Sequence, residues 1–248
     1  MPDLRDVPIL IVSVAFAADM IACIHGCIRT QSGSFPYRII YVISREERMV
    51  RDVYRFLFPL LILGLALVCL RLPYLALSVL ILMAFICFFF RNPKRRIPEG
   101  TNLIVSPADG KVVKISHIDG GAKTISIFLN IFNVHVNRSP ISGTLRQLEY
   151  KRGKFKAAFD EEASRVNEQN ILTISDQNLQ ITVRQIAGLI ARRVVCWKKP
   201  GHHLQRGELI GLIRFGSRVD VVLPAQVRIL VKVGDRVSGG SSILGEYP

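Results

Sequence analysis

Apolar positions along the chain fall into two regimes. Residues 56–70 (FLFPLLILGLALVCL) carry no charge, Arg71-Leu72-Pro73 interrupts, and residues 72–90 (LPYLALSVLILMAFICFFF) are uncharged again. A helix that crosses a bilayer needs roughly 20 apolar residues, and a buried helix of a soluble core has no need of so long a run. The second run meets that length, and the first extends toward it through Val53 and Tyr54. The intervening Arg-Leu-Pro suits a tight turn between helices, so the pattern predicts a membrane hairpin over 53–90. From Ile97 onward the period changes. Short runs rich in Val, Ile and Leu alternate with Gly, Pro, Asp and Asn, which predicts strands at 103–105, 111–115, 124–129, 170–174, 180–186, 194–196, 208–215, 219–223 and 227–233. Helical periodicity is mainly confined to 155–167. The expected fold is mainly β, a sandwich or barrel, behind an N-terminal α-helical hairpin.

One motif occurs twice. Gly201-x-x-Leu204-x-x-Gly207-x-x-Ile210 returns as Gly234-x-x-Val237-x-x-Gly240-x-x-Ile243. Glycine permits the tight backbone of a turn, and the apolar positions anchor it. Such turns resemble those of biotinyl/lipoyl-type hybrid barrels. The hairpin-tip lysine that those carriers need is absent, so the echo bears on architecture alone, and ordinary β-turns account for it nearly as well.

The 248 residues hold 33 Lys and Arg against 19 Asp and Glu, a net charge of +14, and half of them are hydrophobic. That apolar content excludes a disordered chain, and its combination with strong basicity argues against a purely soluble enzyme. The charge gathers at the hairpin. Arg45, Arg48, Arg51 and Arg55 precede it, and Arg91, Lys94, Arg95 and Arg96 follow it, against a single Arg in the turn. The positive-inside rule then puts both ends, and everything after Phe90, on the cytoplasmic side of the cell membrane. Each such residue adds about 1 kcal/mol of attraction to anionic headgroups. With the basic residues placed there and no nucleic-acid-binding motif visible, a nucleic-acid partner is not expected. Five cysteines without a C-x-x-C pair point neither to a disulfide framework nor to a zinc site. Residues 9–28 are apolar but contain Asp19 and His25, and a charge at the centre of a membrane helix is costly. Met49 would serve as a start by itself, so residues 1–48 are expected to be an extension of doubtful status in the mature protein.

Three islands of the β region carry reactive side chains: SPADGKV around Asp109, FNVHVNRSP around His135, and IRFGSRVD around Gly216-Ser217. Glycine tolerates strained backbone angles. On a strained Gly-Ser bond the serine hydroxyl can attack the preceding carbonyl and turn the amide into an ester. β-Elimination then splits the ester and leaves dehydroalanine, whose imine tautomer hydrolyses to a pyruvoyl group. Taken singly, a Gly-Ser pair is usually a simple turn, Asp109 a β-turn residue and His135 a packed core histidine. Together they supply a nucleophile, a base and a carboxylate to orient that base, in the chain order Asp109, His135, Ser217.

These islands, with FFFRNPKRRIPEG, KRGKF, QIAGLIARRVVCW, GHHLQRGELIGLIRFGSRVDVVLP and VKVGDRVSGG, resemble the phosphatidylserine decarboxylase proenzymes of the short prokaryotic type. The matching segments run in order over about residues 88–245, and the hairpin is similar to the family's anchor. The resemblance implies self-cleavage between Gly216 and Ser217, with a β chain to Gly216 and an α chain from residue 217 remaining together as a heterodimer. It leaves homo-oligomers open. It further implies conversion of phosphatidylserine, a membrane phospholipid, to phosphatidylethanolamine and CO2. The route is a Schiff base between the substrate amine and the pyruvoyl group derived from Ser217, with no metal and no pyridoxal phosphate. His135 is then the general acid/base and Asp109 its orienting carboxylate. The division that follows is 1–48 extension, 49–98 hairpin and basic flank, and 99–248 catalytic domain. Arg146, Lys151, Arg152, Lys154 and Lys156 are candidates to hold the lipid phosphate, although a solvated basic face accounts for most of them. The chain departs from long-form relatives at two places. They carry two histidines three residues apart where this chain has His135 and Arg138, so either His135 serves both cleavage and decarboxylation or Arg138 or solvent takes one step. They commonly read Leu-Gly-Ser-Thr at the cleavage site, where this chain reads Phe-Gly-Ser-Arg. A serine lipid of another backbone, such as an archaetidyl lipid, is the alternative substrate. A membrane-tethered β-barrel without enzymatic activity is the rival reading.

Overall fold

The computed structural model describes residues 49–100, 102–118, 120–153, 166–188, 193–214 and 217–248. Residues 1–48, most of the predicted 155–167 helix, Lys154, Lys156 and Gly216 lie outside the described residues. After one 3-10 turn, Arg51–Val53, the chain forms helices α1 (Tyr54–Cys69) and α2 (Pro73–Phe89). The turn between them falls where the sequence predicts it. Arg71 takes a φ of 57°, and Pro73 opens α2, where its missing N–H interrupts no helical bond. The helical stretch Arg51–Cys69, at 19 residues, is long and apolar enough to cross a membrane, and Pro73–Phe89 is shorter at 17. Phe58, Leu65 and Ile81 are among the apolar side chains that both helices expose.

The root of the hairpin behaves differently. Val53, Leu57, Ile86, Phe89 and Phe90 are buried in one apolar cluster with Val134, Val136 and Leu212 of the β region. The Val50 N–H donates to the Phe90 carbonyl at 3.2 Å. The Asp52 carboxylate accepts from Trp197 Nε1 at 3.2 Å and pairs with Arg214 at 3.5 Å.

The strands are β1 (Leu103–Val105), β2 (Gly110–His117), β3 (Lys123–Leu129), β4 (Val136–Arg138), β5 (Gly143–Lys151), β6 (Gln169–Ser175), β7 (Gln180–Ile186), β8 (Val194–Cys196), β9 (His203–Leu204), β10 (Leu209–Ile213), β11 (Ser217–Leu223), β12 (Arg228–Ile229), β13 (Arg236–Val237) and β14 (Ile243–Glu246). They form an eight-stranded sheet in the order β13-β2-β3-β11-β7-β6-β5-β9 and two three-stranded sheets, β4-β10-β8 and β1-β14-β12. The pairings are antiparallel, and Val219 of β11 lies opposite Ile127 of β3 on one side and Gln185 of β7 on the other. Period-2 alternation therefore turns Ile125, Ile127, Val219, Val221, Ile181, Val183, Leu172 and Ile174 to one face, where all are fully buried.

The mainly β fold behind a helical hairpin is as expected, but the short strands β4, β9, β13 and β14 are not among those predicted. β5 is a nine-residue strand that the pattern does not reveal. A register shift between Leu145 and Gln147 breaks its alternation, so that Leu145 and Leu148, three apart, both meet the core. The strand expected at 227–233 pairs only at Arg228–Ile229. The Gly echo proves to be structural. Gly201, Gly207, Gly234 and Gly240 all take positive φ, between 77° and 103°. The two units supply β9 and β13, the short strands at opposite edges of the large sheet. A Cβ on Gly240 would lie 2.9 Å from Arg138 Cδ and 3.6 Å from the Gly207 Cα, so the two repeats meet with little room between them.

Candidate active site

Strand β11 begins at Ser217, which pairs with Leu129 of β3. Ser217 is fully buried, and its Oγ has no hydrogen-bond partner among the described residues. The next residue points to the other face and clamps the strand. Arg218 Nε donates to Asp220 Oδ1 at 2.7 Å, and its Nη2 reaches Asp220 Oδ2 at 3.2 Å and Ser126 Oγ at 2.8 Å. The Arg of Phe-Gly-Ser-Arg thus has a local partner two residues on, and a bidentate pair of this kind fixes geometry as well as charge.

His135 stands just before β4, with its carbonyl accepting the Ile213 N–H at 3.2 Å. Its ring is fully buried against Phe89 at the end of α2, centroid to centroid 4.1 Å. Nδ1 lies 2.9 Å from the Asn133 carbonyl oxygen. A carbonyl only accepts, so in the neutral ring Nδ1 carries the proton and Nε2 presents its lone pair. Nε2 is buried without a partner among the described residues. Burial pushes the His135 pKa down to about 4; the Asn133 carbonyl works against this, and the Arg91 charge adds to it. The imidazole is therefore neutral at physiological pH, with a free lone pair facing the interior.

Asp109 does not occupy the expected place beside the ring. Its two carboxylate oxygens accept from Arg95 Nη2 at 2.8 and 2.7 Å, and Oδ1 also accepts the Gly239 N–H at 2.7 Å. It makes no hydrogen bond with His135 among the described residues, and the Asn133 carbonyl orients the ring instead. Arg138 is 2 % exposed and is held as a tie. Its Nη1 donates to the Gly207 carbonyl at 2.8 Å and its Nη2 to Asn92 Oδ1 at 2.7 Å. These donors are thus committed to neutral oxygens of the surrounding fold. Arg146, Lys151 and Arg152 are exposed on or just after β5, the third strand from β11.

Three contributors carry no sequence signal. Phe89 reads as the end of a membrane run, Arg95 as part of a lipid-facing basic flank, and Asn133 acts through a carbonyl that every residue possesses. Among the described residues no group of three His, Cys, Asp or Glu side chains is placed to hold a metal ion.

Comparison with known proteins shows the family. A sequence model of the family described as phosphatidylserine decarboxylase matches residues 82–245, a stretch that takes in Asp109, His135 and Ser217. The chain is 51 % identical over 172 residues to the phosphatidylserine decarboxylase proenzyme of Solibacter usitatus (strain Ellin6076), covering 69 % of this chain and 83 % of that protein. It is 46 % identical over 179 residues to the proenzyme of the same name from Carboxydothermus hydrogenoformans, covering 69 % and 84 %. With that of Syntrophus aciditrophicus (strain SB) it shares 48 % identity over 170 residues, covering 66 % and 80 %. The chain belongs to the phosphatidylserine decarboxylase family.

Proposed function

We propose that the chain is a proenzyme that cuts itself between Gly216 and Ser217. Carrying a pyruvoyl group made from Ser217, it then decarboxylates phosphatidylserine to phosphatidylethanolamine and CO2 at the membrane. The observation that carries this reading is a pair of buried polar atoms. Ser217 Oγ and His135 Nε2 are both enclosed and both without a hydrogen-bond partner among the described residues. Buried polar atoms are normally paired, and an unengaged hydroxyl and an unengaged imidazole lone pair are what an activated nucleophile needs.

Within this reading His135 Nε2 takes the proton of Ser217 Oγ as the hydroxyl attacks, and the same atom is placed to return a proton to the leaving nitrogen. The residues present fit the group, because Ser217 supplies its atoms and makes no competing bond. A pyruvoyl carbonyl supplies an electron sink for the pair released as CO2 departs, chemistry that amino-acid side chains lack. Burial of His135 and the apolar wall of Phe89 exclude water, which strengthens each electrostatic contact at the site.

The fold gives the two chains a reason to stay together as a heterodimer. Residues 217–248 contribute β11, held between β3 and β7, with β13 on β2 and β14 on β1. In the same reading Arg51–Cys69 lies in the bilayer, and the basic residues on either side of the hairpin hold its ends, and the catalytic region, at the cytoplasmic surface. The residues after 98 then form the catalytic region, and 49–98 its anchor.

Intact mass of the purified protein tests the reading, with phosphatidylserine vesicles as substrate and an ether-linked serine lipid as the comparison. A working sample should hold a fragment of roughly 3–4 kDa with a blocked N-terminus, as the 32 residues from 217 to 248 require at about 110 Da each. Ser217→Ala should remain uncut and inactive. An active sample whose chain is whole rejects the proposal.

A further inference from the structure

A third unengaged atom is buried in the β region. Along the inner face of the large sheet, one row of cross-strand neighbours, Ile125, Val221, Val183 and Leu172, is wholly apolar. The next row begins with Ile127 and Val219 and then turns polar at Gln185 and Asn170. Ser217 is two residues before Val219 and so stands on that face, one step further along. From the facing sheet comes Asn137 of β4. Asn137 and Gln185 are fully buried and Asn170 is 5 % exposed. Their amides are linked in series: Asn170 Nδ2 donates to Gln185 Oε1 at 3.1 Å, and Gln185 Nε2 donates to Asn137 Oδ1 at 2.8 Å.

The series runs in one direction in the structure. Gln185 gives its oxygen to Asn170 and its NH2 to Asn137, and Asn137 answers with its oxygen and turns its own NH2 the other way. Gly211 helps to hold the arrangement, because a Cβ there would lie 2.9 Å from Gln185 Nε2 and 2.1 Å from the Val195 carbonyl. Asn137 Nδ2 is buried with no hydrogen-bond partner among the described residues. An unsatisfied buried donor is unfavourable, which is the mark of a group waiting for an acceptor. His135 is two residues before Asn137 in the chain, and strand register links Asn137 through Gln185 and Val219 to the strand that begins at Ser217.

We propose that Asn137 is a catalytic residue of the self-cleavage reaction. Its Nδ2 donates a hydrogen bond to the oxygen that becomes negative when Ser217 Oγ adds to the carbonyl carbon of the peptide bond before it. Gln185 and Asn170 are positioning residues that keep the amide turned toward that oxygen. The inference rests on the self-cleavage reading above. As the C–O bond forms, the Oγ proton passes to His135 Nε2 and the carbonyl π pair moves onto oxygen, where Asn137 meets it. Collapse re-forms the carbonyl and expels the nitrogen of residue 217, which takes the proton back from His135 and leaves the ester. No outside reactant is needed.

The test compares Asn137→Ala with Asn137→Ser, which differ by one hydroxyl, in the full chain freshly synthesised into phospholipid vesicles. The rate of chain separation is followed by gel and intact mass. Loss of one oxyanion donor lowers such rates about 10²–10³-fold. The Ala variant should fall by that factor, and the Ser variant, which keeps a donor, should cut at least about 10-fold faster than the Ala variant. Hydroxylamine, which cleaves an accumulated ester, should release no fragment from the Ala variant, because the ester does not form. Equal rates for folded Ala and Ser variants, or wild-type cutting by the Ala variant, overturn the proposal. Should the Ala variant fail to fold, Gln185→Leu leaves Asn137 in place but untethered. Slowed cutting then supports the proposal, and a wild-type rate overturns it. A wild-type chain that never cuts removes the underlying self-cleavage reading instead.

Discussion

Phe89→Ala asks whether the root of the hairpin is what keeps the His135 ring neutral. Phe89 is fully buried with its ring 4.1 Å from the imidazole. Truncating a buried phenylalanine lowers stability by about 3–5 kcal/mol, and here it also opens a path for water to the His135 ring. Burial is the main cause that holds His135 at about 4 instead of 6.5, a gap equivalent to ~3 kcal/mol. With that burial relieved, the acid limb of the self-cleavage profile should move up toward 6.5. At pH 5 the neutral fraction of the ring would fall from about nine-tenths to about 3 %, so cutting should slow roughly 30-fold there. At pH 8 the ring is neutral in both proteins, and only the loss of positioning remains. The assay is the first-order rate of chain separation in vesicles from pH 5 to 8, with Phe89→Leu as a control that keeps the wall apolar and leaves the acid limb near its wild-type position. Parallel profiles for Phe89→Ala and the wild type would refute the reasoning, because the ring would then owe its neutrality to something else.

Three further outcomes follow from particular contacts. His135 titrates at about 4 folded and 6.5 unfolded, so as pH falls between these values the unfolded chain takes the proton first. Stability should decline through that window by up to about 3 kcal/mol. Melting curves of Ser217→Ala with and without His135→Gln, both uncut, isolate the effect, which the Gln variant should lack. Arg218→Ala leaves Asp220, 2 % exposed, without its bidentate partner. It should lose about 3–5 kcal/mol in denaturant unfolding, and a double replacement by leucines should recover much of that. Gly211→Ala drives a Cβ to 2.1 Å from the Val195 carbonyl, so β8 and β10 must part. A loss of about 1–3 kcal/mol is expected, with slower cutting because Gln185 is displaced as well.

Much of the molecule is legible in its amino-acid sequence. The charge-free runs and the Arg-Leu-Pro break mark both helices and the turn between them. Alternation marks most of the large sheet, because a strand with one face buried cannot hide its period. β5 escapes for a physical reason, since its bulge moves Leu145 and Leu148 onto one face and erases the alternation. Arg138 stands out as a departure from long-form relatives, but nothing in the string of letters distinguishes a proton carrier from a tie to Gly207 and Asn92.

The amino-acid order by itself determined the two apolar helices and the mainly β fold through short-range period, and its resemblance to a known family singled out Asp109, His135 and Ser217 as the residues to examine. Only the tertiary structure decided how they are used. A backbone carbonyl, which has no letter of its own, sets the tautomer of His135. Asp109 turns to Arg95, fourteen residues earlier, and Phe89 leaves a run that reads as membrane to wall in the imidazole. The direction of the Asn137 amide depends on Gln185 and Asn170, which are distant in sequence and brought near by strand register. Burial and hydrogen-bond partnership are properties of the folded interior, and the chemistry proposed for this site depends on both.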